Sequence, residues 1–425
     1  MNRLLFLFFF FWAQLIENMA PQLFVIASLG NGIEIRPTLV LKCVALLINI
    51  LVLTFYQRQH KIPISFLLLS GFLLFSTASV WFVHPAFIFQ ALTINLHVQL
   101  MLNLALFIFL QSNNLNEIKA LMQGLRLFAT INAMFVIFSF FFNQYEFLFE
   151  TSASPTGARR AFGIMGDEVS LFLTYFLYDS LVTKRYFTLV LYFTAIICTA
   201  GIGAFIVTIA LFVYYGFNHM QLSWNTIYLG FVVVLLTTSL LFFYQHTFSN
   251  LGVVGRIQAT WKGDNRESSN FRVISLSTAA SMIEKRPLWG TGFGAYASTV
   301  KAYFAPLFKM EGIEHRFAGT MVIVASAFNP YVQMLCETGV VGLVVFILFL
   351  FSLFRIFSKM KNSGDPGWQN QSKVASGWFV VFCFTSLSAN WFLPASFIML
   401  LVMALAGIHL KLNVLLADEV VPQSH

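Results

Sequence analysis

The sequence predicts an all-α polytopic membrane protein of about twelve transmembrane helices, with one large external loop that contains short helices of its own. Apolar residues make up 58% of the chain and charged residues only 10%, under half the usual share in a soluble protein. Apolar runs of ~20 residues, each able to cross ~30 Å of hydrocarbon, recur along the chain. One polar stretch, residues 245–329, interrupts them. It carries Arg256, Lys262, Arg266, Arg272, Lys285, Arg286, Lys301, Lys309 and Arg316 against Asp264, Glu267, Glu284, Glu311 and Glu314. Charge gathered in one loop of a membrane protein points to work done there, and its cationic excess points to an anionic ligand. The overall net charge of +8 matters less than this placement.

Runs near 4–28, 37–56, 62–81, 92–110, 120–142 and 168–183 give six spans. Arg3 precedes the first run, and no small-residue cleavage site follows it, so an uncleaved first span is expected. Arg3, Arg58 with Lys61, Lys119, and Lys184 with Arg185 mark cytoplasmic ends. The segments 31–36, 83–90 and 143–167 then lie outside. The run from Tyr186 to Phe217 would be ~48 Å long as a single helix, too long for one crossing. A hairpin turning at Thr199-Ala200-Gly201-Ile202-Gly203 gives two short spans instead. A ninth span at 226–243 then puts the polar stretch outside. The run 331–354 returns to the basic segment Arg355 to Lys373, and spans at 374–391 and 395–411 complete the chain. Residues 1–244 thus hold spans one to nine with a short external loop at 143–167. Residues 245–330 form the large external loop, and 331–425 hold spans ten to twelve and a cytoplasmic tail.

The four cysteines, Cys43, Cys198, Cys336 and Cys383, fall in or beside apolar runs and imply no disulfide framework. No metal-binding constellation stands out; there is no HExxH and no DxD, and the histidines are scattered. No repeat is visible, nor a matched pair of broken helices of the kind transporters use.

Two external segments carry candidate chemistry. In the shorter, Arg159 and Arg160 precede Gly163, Gly166 and the pair Asp167-Glu168 that opens the next helix. Arginines bind phosphate through paired hydrogen bonds, and glycines let the backbone approach a ligand. Asp167 and Glu168 read either as helix N-terminal acids favoured by the dipole or as a general base. In the longer segment, Ser268-Ser269-Asn270 offers an N-cap for a helix with Val273, Leu276, Ala280 and Ile283 on one face. That start puts Arg272 in the first turn, where the dipole disfavours a cation and a partner is expected. The helix stops before Pro287, and Gly290, Gly292 and Gly294 alternate after it. With no strand before and no lysine after, this is a weak phosphate cradle and a better tight connection packed against the membrane face. His315 and Arg316 follow, then Asn329-Pro330-Tyr331 leads into the tenth span.

Taken together, Arg272, the run Pro287-Leu288-Trp289-Gly290-Thr291-Gly292-Phe293-Gly294, and Asn329-Pro330-Tyr331-Val332-Gln333 with Glu337-Thr338-Gly339-Val340-Val341-Gly342 resemble the O-antigen polymerase and ligase superfamily. Arg160-Ala161-Phe162-Gly163 before a helix is similar to that family's other external arginine motif. The motifs cover residues 156–342. The resemblance implies a GT-C-like helical fold in the bacterial inner membrane. It also implies a metal-independent glycosyltransferase, needing no cofactor, that acts at the periplasmic face on glycans carried by undecaprenyl pyrophosphate. Arg160 and Arg272 would hold the diphosphate and stabilise the charge of the leaving group. Asp167, Glu168 and His315 are the candidate bases, and Arg159, Arg256, Arg286, Arg316, Asn329 and Tyr331 the candidate substrate contacts. The expected partners are the lipid-linked oligosaccharide, membrane lipids, and a chain-length regulator and flippase of the same pathway; nucleic acid is not among them.

The sequence departs from the family pattern twice. Phe328 stands where the ligase branch has the histidine of its HN pair, and Gly201-Ile202 replaces a Ser-Arg at the hairpin. Phenylalanine transfers no proton, which favours a polymerase over a ligase. The alternative from another class is a lipid-linked oligosaccharide transporter. It would need ionisable residues along its spans, and the sequence offers chiefly Lys42 and Glu17.

Overall fold

The computed structural model describes residues 27–29, 33–35, 40, 43–44, 63–112, 114–141, 151–153, 159–161, 168–199, 201–219, 266–297, 299, 303, 327, 329–362, 365–386 and 396–420. Ten α-helices account for most of them: α1 Ile64–Val83, α2 Ile88–Gln111, α3 Leu115–Phe141, α4 Val169–Val182, α5 Tyr186–Cys198, α6 Ile202–His219, α7 Arg266–Lys285, α8 Pro330–Ser358, α9 Pro366–Thr385 and α10 Phe397–Val420. Two small antiparallel strand pairs accompany this helical architecture. They are β1 Ala27–Leu29 with β2 Ile33–Ile35, and β3 Thr151–Ala153 with β4 Arg159–Ala161. The second pair lies in the connection between α3 and α4, where a short hairpin satisfies backbone groups that no helix engages.

Among the described residues, five helical stretches are long and apolar enough to cross a membrane: Ile64–Val83, Pro85–Gln111, Leu115–Phe140, Pro330–Lys361 and Ile398–Leu416. Helices α4, α5 and α6 are apolar but shorter. The expected spans at 4–28, 37–56 and 226–243 lie outside the described residues, apart from a few positions. The expected hairpin is present, since α5 ends at Cys198 and α6 starts at Ile202. It closes tightly: a side chain at Gly201 would run into Ser170 Oγ at 2.8 Å, at the start of α4. Helix α4 packs against both arms of this hairpin.

The interior is bound by polar cross-links as well as apolar packing. Arg126 of α3 donates to both carboxylate oxygens of Asp179 on α4, at 2.7 and 3.0 Å. Gln371 of α9 donates to the same carboxylate at 3.0 Å. Asp179 is 2% exposed, so one buried charge is matched by a bidentate guanidinium and an amide. The pair adds ionisable groups within spans to the two expected from sequence. Trp378 of α9 donates its indole N–H to Thr174 of α4 at 2.9 Å and stacks on Phe382, with ring centroids 4.8 Å apart. Helix α10 packs along α2, where Gly407 brings the two backbones close at Ala105.

Helix α8 is broken. Asn329 caps it by accepting from the Tyr331 and Val332 amides at 2.9 and 3.1 Å, and Pro330 fits the first helical position. Gly339 leaves helical geometry at φ 69°, ψ −171°, so the helix kinks nine residues after its start.

Candidate functional site: a glycine turn stapled to a broken helix

Among the described residues of the polar loop, the run from Gly290 to Tyr296 is densely hydrogen-bonded. Every backbone N–H from Gly290 to Tyr296 has a partner. Gly290 donates to Arg286 O at 3.1 Å, Thr291 to Cys336 O at 3.1 Å, and Gly292 to Glu337 O at 2.7 Å. Phe293 donates to Ser76 Oγ of α1 at 3.0 Å. Gly294 and Tyr296 donate to the two carboxylate oxygens of Glu337 at 3.1 and 3.0 Å, and Ala295 donates to Gly292 O at 3.1 Å. The expectation of a tight connection holds, and the phosphate-cradle alternative loses its donors. These amides already serve the turn.

The staple works in both directions. Beyond the kink, Val340 and Val341 donate to the carbonyls of Pro287 and Leu288 at 2.9 and 3.4 Å. The kink frees amides and carbonyls from the helix ladder, and the turn supplies their partners. Only glycine suits the crossing point. Gly290 and Gly339 both have positive φ, and a Cβ on either would strike the other segment's backbone.

Glu337 is the hub of this joint. It is 1% exposed, and beside the two amides it accepts from Gln333 Nε2 at 3.3 Å. Thr77 of α1 donates to Phe293 O at 3.4 Å, and Asn95 of α2 donates to Thr77 Oγ1 at 2.6 Å, which ties the turn to the α1–α2 pair. Tyr296 donates its hydroxyl to Ser275 O of α7 at 3.1 Å; burial raises its pKa above the usual phenol value. The turn therefore anchors α7 to α1, α2 and α8 together.

Helix α7 differs from the sequence expectation in two ways. It begins at Arg266, before the expected cap at Asn270, so Arg272 lies in the second turn rather than the first. The dipole reason for expecting a partner there falls away accordingly. Its buried face is Ser275, Thr278, Ala279 and Met282, with Ile283 of the expected face packed against it, whereas Leu276 and Ala280 are exposed. Small side chains on the inner face let Tyr296 and the turn come close, and this close approach overrides the more apolar stripe.

The other candidate residues fall in different places. Arg159 and Arg160 lie in β4, which packs near α3 and α5. Glu168 Oε2 accepts from Ser396 Oγ at 3.0 Å and from the Ile398 amide at 3.4 Å, so it helps hold the start of α10. Asn329 is the cap of α8, and Tyr331 donates its hydroxyl to Cys383 O of α9 at 2.8 Å. Arg286 is exposed directly after α7. Asp167, Arg256, His315 and Arg316, with Phe328, lie outside the described residues, as do the side chains of Arg159, Arg160 and Arg272. No group of three or more His, Cys, Asp or Glu able to hold a metal ion occurs among the described residues.

Sequence reasoning identifies Glu337 only as part of a motif. Its partners, 41 and 43 residues earlier, leave no local signal. Nothing in the sequence singles out His84, in the connection between α1 and α2.

No curated protein matches the chain. A family model described as O-antigen ligase does match, over residues 187–347. That stretch runs from α5 through the hairpin and the polar loop to beyond the kink of α8, and so contains the glycine turn and its Glu337 acceptor. The match supports, over that stretch, the resemblance to the O-antigen polymerase and ligase superfamily that the motifs carry.

Proposed function

We propose that the protein is an inner-membrane polysaccharide polymerase. It transfers a glycan chain from undecaprenyl pyrophosphate to the sugar hydroxyl of a lipid-linked repeat unit. The observation that carries this reading is the coincidence of the family match with the staple, which fastens the Arg272 helix to the membrane bundle. A cationic helix held rigidly at a bundle end is suited to a lipid-linked diphosphate, because pre-set cations stabilise charge on the leaving group without reorganising. Arg160 and Arg272 are the proposed diphosphate contacts, with Arg159, Arg256, Arg286 and Arg316 supporting them. The full architecture under this reading is a GT-C-like bundle of twelve spans, with the polar loop on the periplasmic side. The lipid-linked oligosaccharide is its substrate, and a flippase and a chain-length regulator are its proposed neighbours in the pathway.

A second reading, the ligase, draws on the family model's description. Phe328 favours the polymerase, since the ligase branch relies on a histidine there. The transporter alternative gains little from the buried ionisable groups, because Arg126 and Asp179 neutralise each other and bind three helices together.

The test is the lipopolysaccharide pattern of a deletion strain complemented with Arg272→Ala, with membrane expression confirmed. A polymerase leaves core capped by single repeats. Polymer that accumulates unattached to lipid A–core identifies a ligase, absence of exported repeats identifies a transporter, and wild-type chain lengths reject the assignment of Arg272.

A further inference from the structure

At the end of the bundle where the glycine turn docks, α1 closes on His84. The backbone there is fixed on both sides: His84 donates its N–H to Val80 O at 2.8 Å and accepts from the Phe87 amide at 2.9 Å. Val80 is also the α1 side chain that Gly292 of the turn packs against, so His84 lies about one helical turn from the staple. Its ring is held between Phe87 and Tyr303, with centroids 6.3 and 6.5 Å away, and Tyr303 carries Lys285 Nζ over its face at 4.7 Å. The Nε2 atom is shielded from solvent and has no hydrogen-bond partner among the described residues. A ring nitrogen enclosed in this way carries a desolvation cost that nothing around it repays, and a ligand hydroxyl would repay it.

The electrostatics around the ring are one-sided. Neither α1 nor the Pro85–Phe87 turn has a charged residue, and α2 contributes only His97 as a titratable group. Among the described residues, the charges come from the α7 side, as Arg286 and Lys285. Burial lowers the imidazole pKa, and the Arg286 charge lowers it further, so the ring is neutral near pH 7. A neutral imidazole beside a guanidinium combines a proton acceptor with an anion stabiliser.

We propose that His84 is the general base of the glycosyl transfer, taking the proton from the attacking sugar hydroxyl through Nε2. The assignment rests on the glycosyltransferase reading above. In the step, the acceptor oxygen forms a bond to the anomeric carbon as its proton passes to Nε2. The bond from that carbon to the diphosphate oxygen breaks, and the electron pair leaves with the lipid diphosphate. Arg286 faces the same space and stabilises that developing charge. The imidazolium then returns its proton to solvent or to the released diphosphate.

The experiment is turnover of lipid-linked repeat units by the full-length protein in detergent or nanodiscs, measured across pH for wild type, His84→Gln, His84→Ala, Arg286→Ala and Arg272→Ala. His84→Gln should lose about 10²-fold or more in rate and lose the acid limb of the profile. Added imidazole should partly restore His84→Ala. Arg286→Ala should keep a histidine-dependent limb but move it to higher pH, because removing the cation makes protonation easier. A His84→Gln protein with wild-type rate and pH profile overturns the proposal, and if Arg272→Ala is dead in the same assay, the polymerase reading survives that failure. If wild type forms no polymer, or Arg272→Ala retains full turnover, the underlying reading is what fails. Should His84→Gln prove misfolded by gel filtration, the Arg286→Ala limb decides alone, and an unshifted limb overturns the proposal.

Discussion

Glu337 shows how much one side chain can hold when both its oxygens are used. Replacing it with alanine leaves the Gly294 and Tyr296 amides buried without acceptors. Each unsatisfied donor costs roughly 1–3 kcal/mol, so Glu337→Ala should lower the unfolding midpoint clearly in a thermal melt in detergent. Glu337→Gln keeps one acceptor oxygen and should fall between alanine and wild type. Gly339→Ala attacks the same joint from the other side, since a Cβ there meets the backbone of Leu288. The pair 290 and 339 was readable as glycine in the sequence, but not as one contact. Spacing along a chain shows that a turn can form and says nothing of what it turns against.

At the level of helices, the turn at Thr199 to Gly203 was legible because a run too long for one crossing had to break at its small residues. The bond between α3, α4 and α9 was not. Arg126 and Asp179 lie 53 residues apart, and in each run the charge reads as an ordinary exception. Their union is testable. Asp179→Ala leaves the partly exposed Arg126 guanidinium without its counter-ion and should destabilise by up to roughly 3 kcal/mol. The double replacement Arg126→Met with Asp179→Leu should recover most of that loss, and urea or thermal unfolding of the purified protein would measure both. If the double variant is no better than the single one, the carboxylate acts through Gln371 or the helix ladder rather than through the pair.

Over the whole molecule, the polar loop is not a uniform appendage to a membrane bundle. From Gly290 to Tyr296 it belongs to the bundle, because all its amides are engaged and its side chains are largely buried. Hydrogen exchange should therefore find these seven amides protected about as strongly as those of α8; rapid exchange there would show that the staple opens readily. Composition and hydropathy were enough to foresee a helical membrane protein. They could not foresee that α7 would turn its smaller residues inward, since that choice depends on Tyr296 arriving from the far side of the turn.

The staple also has an order of assembly written into it. The amides of Gly294 and Tyr296 leave the ribosome before their acceptor, and Ser76 and Thr77 wait in the bundle from much earlier. During synthesis the loop can reach α1 but cannot lock until Glu337 has emerged and the first turns of α8 have formed. The nascent protein therefore carries its arginine helix unfastened through most of membrane insertion. The joint closes only when the tenth expected span arrives, so the turn and α7 are fixed in place last, against a bundle that is already nearly built.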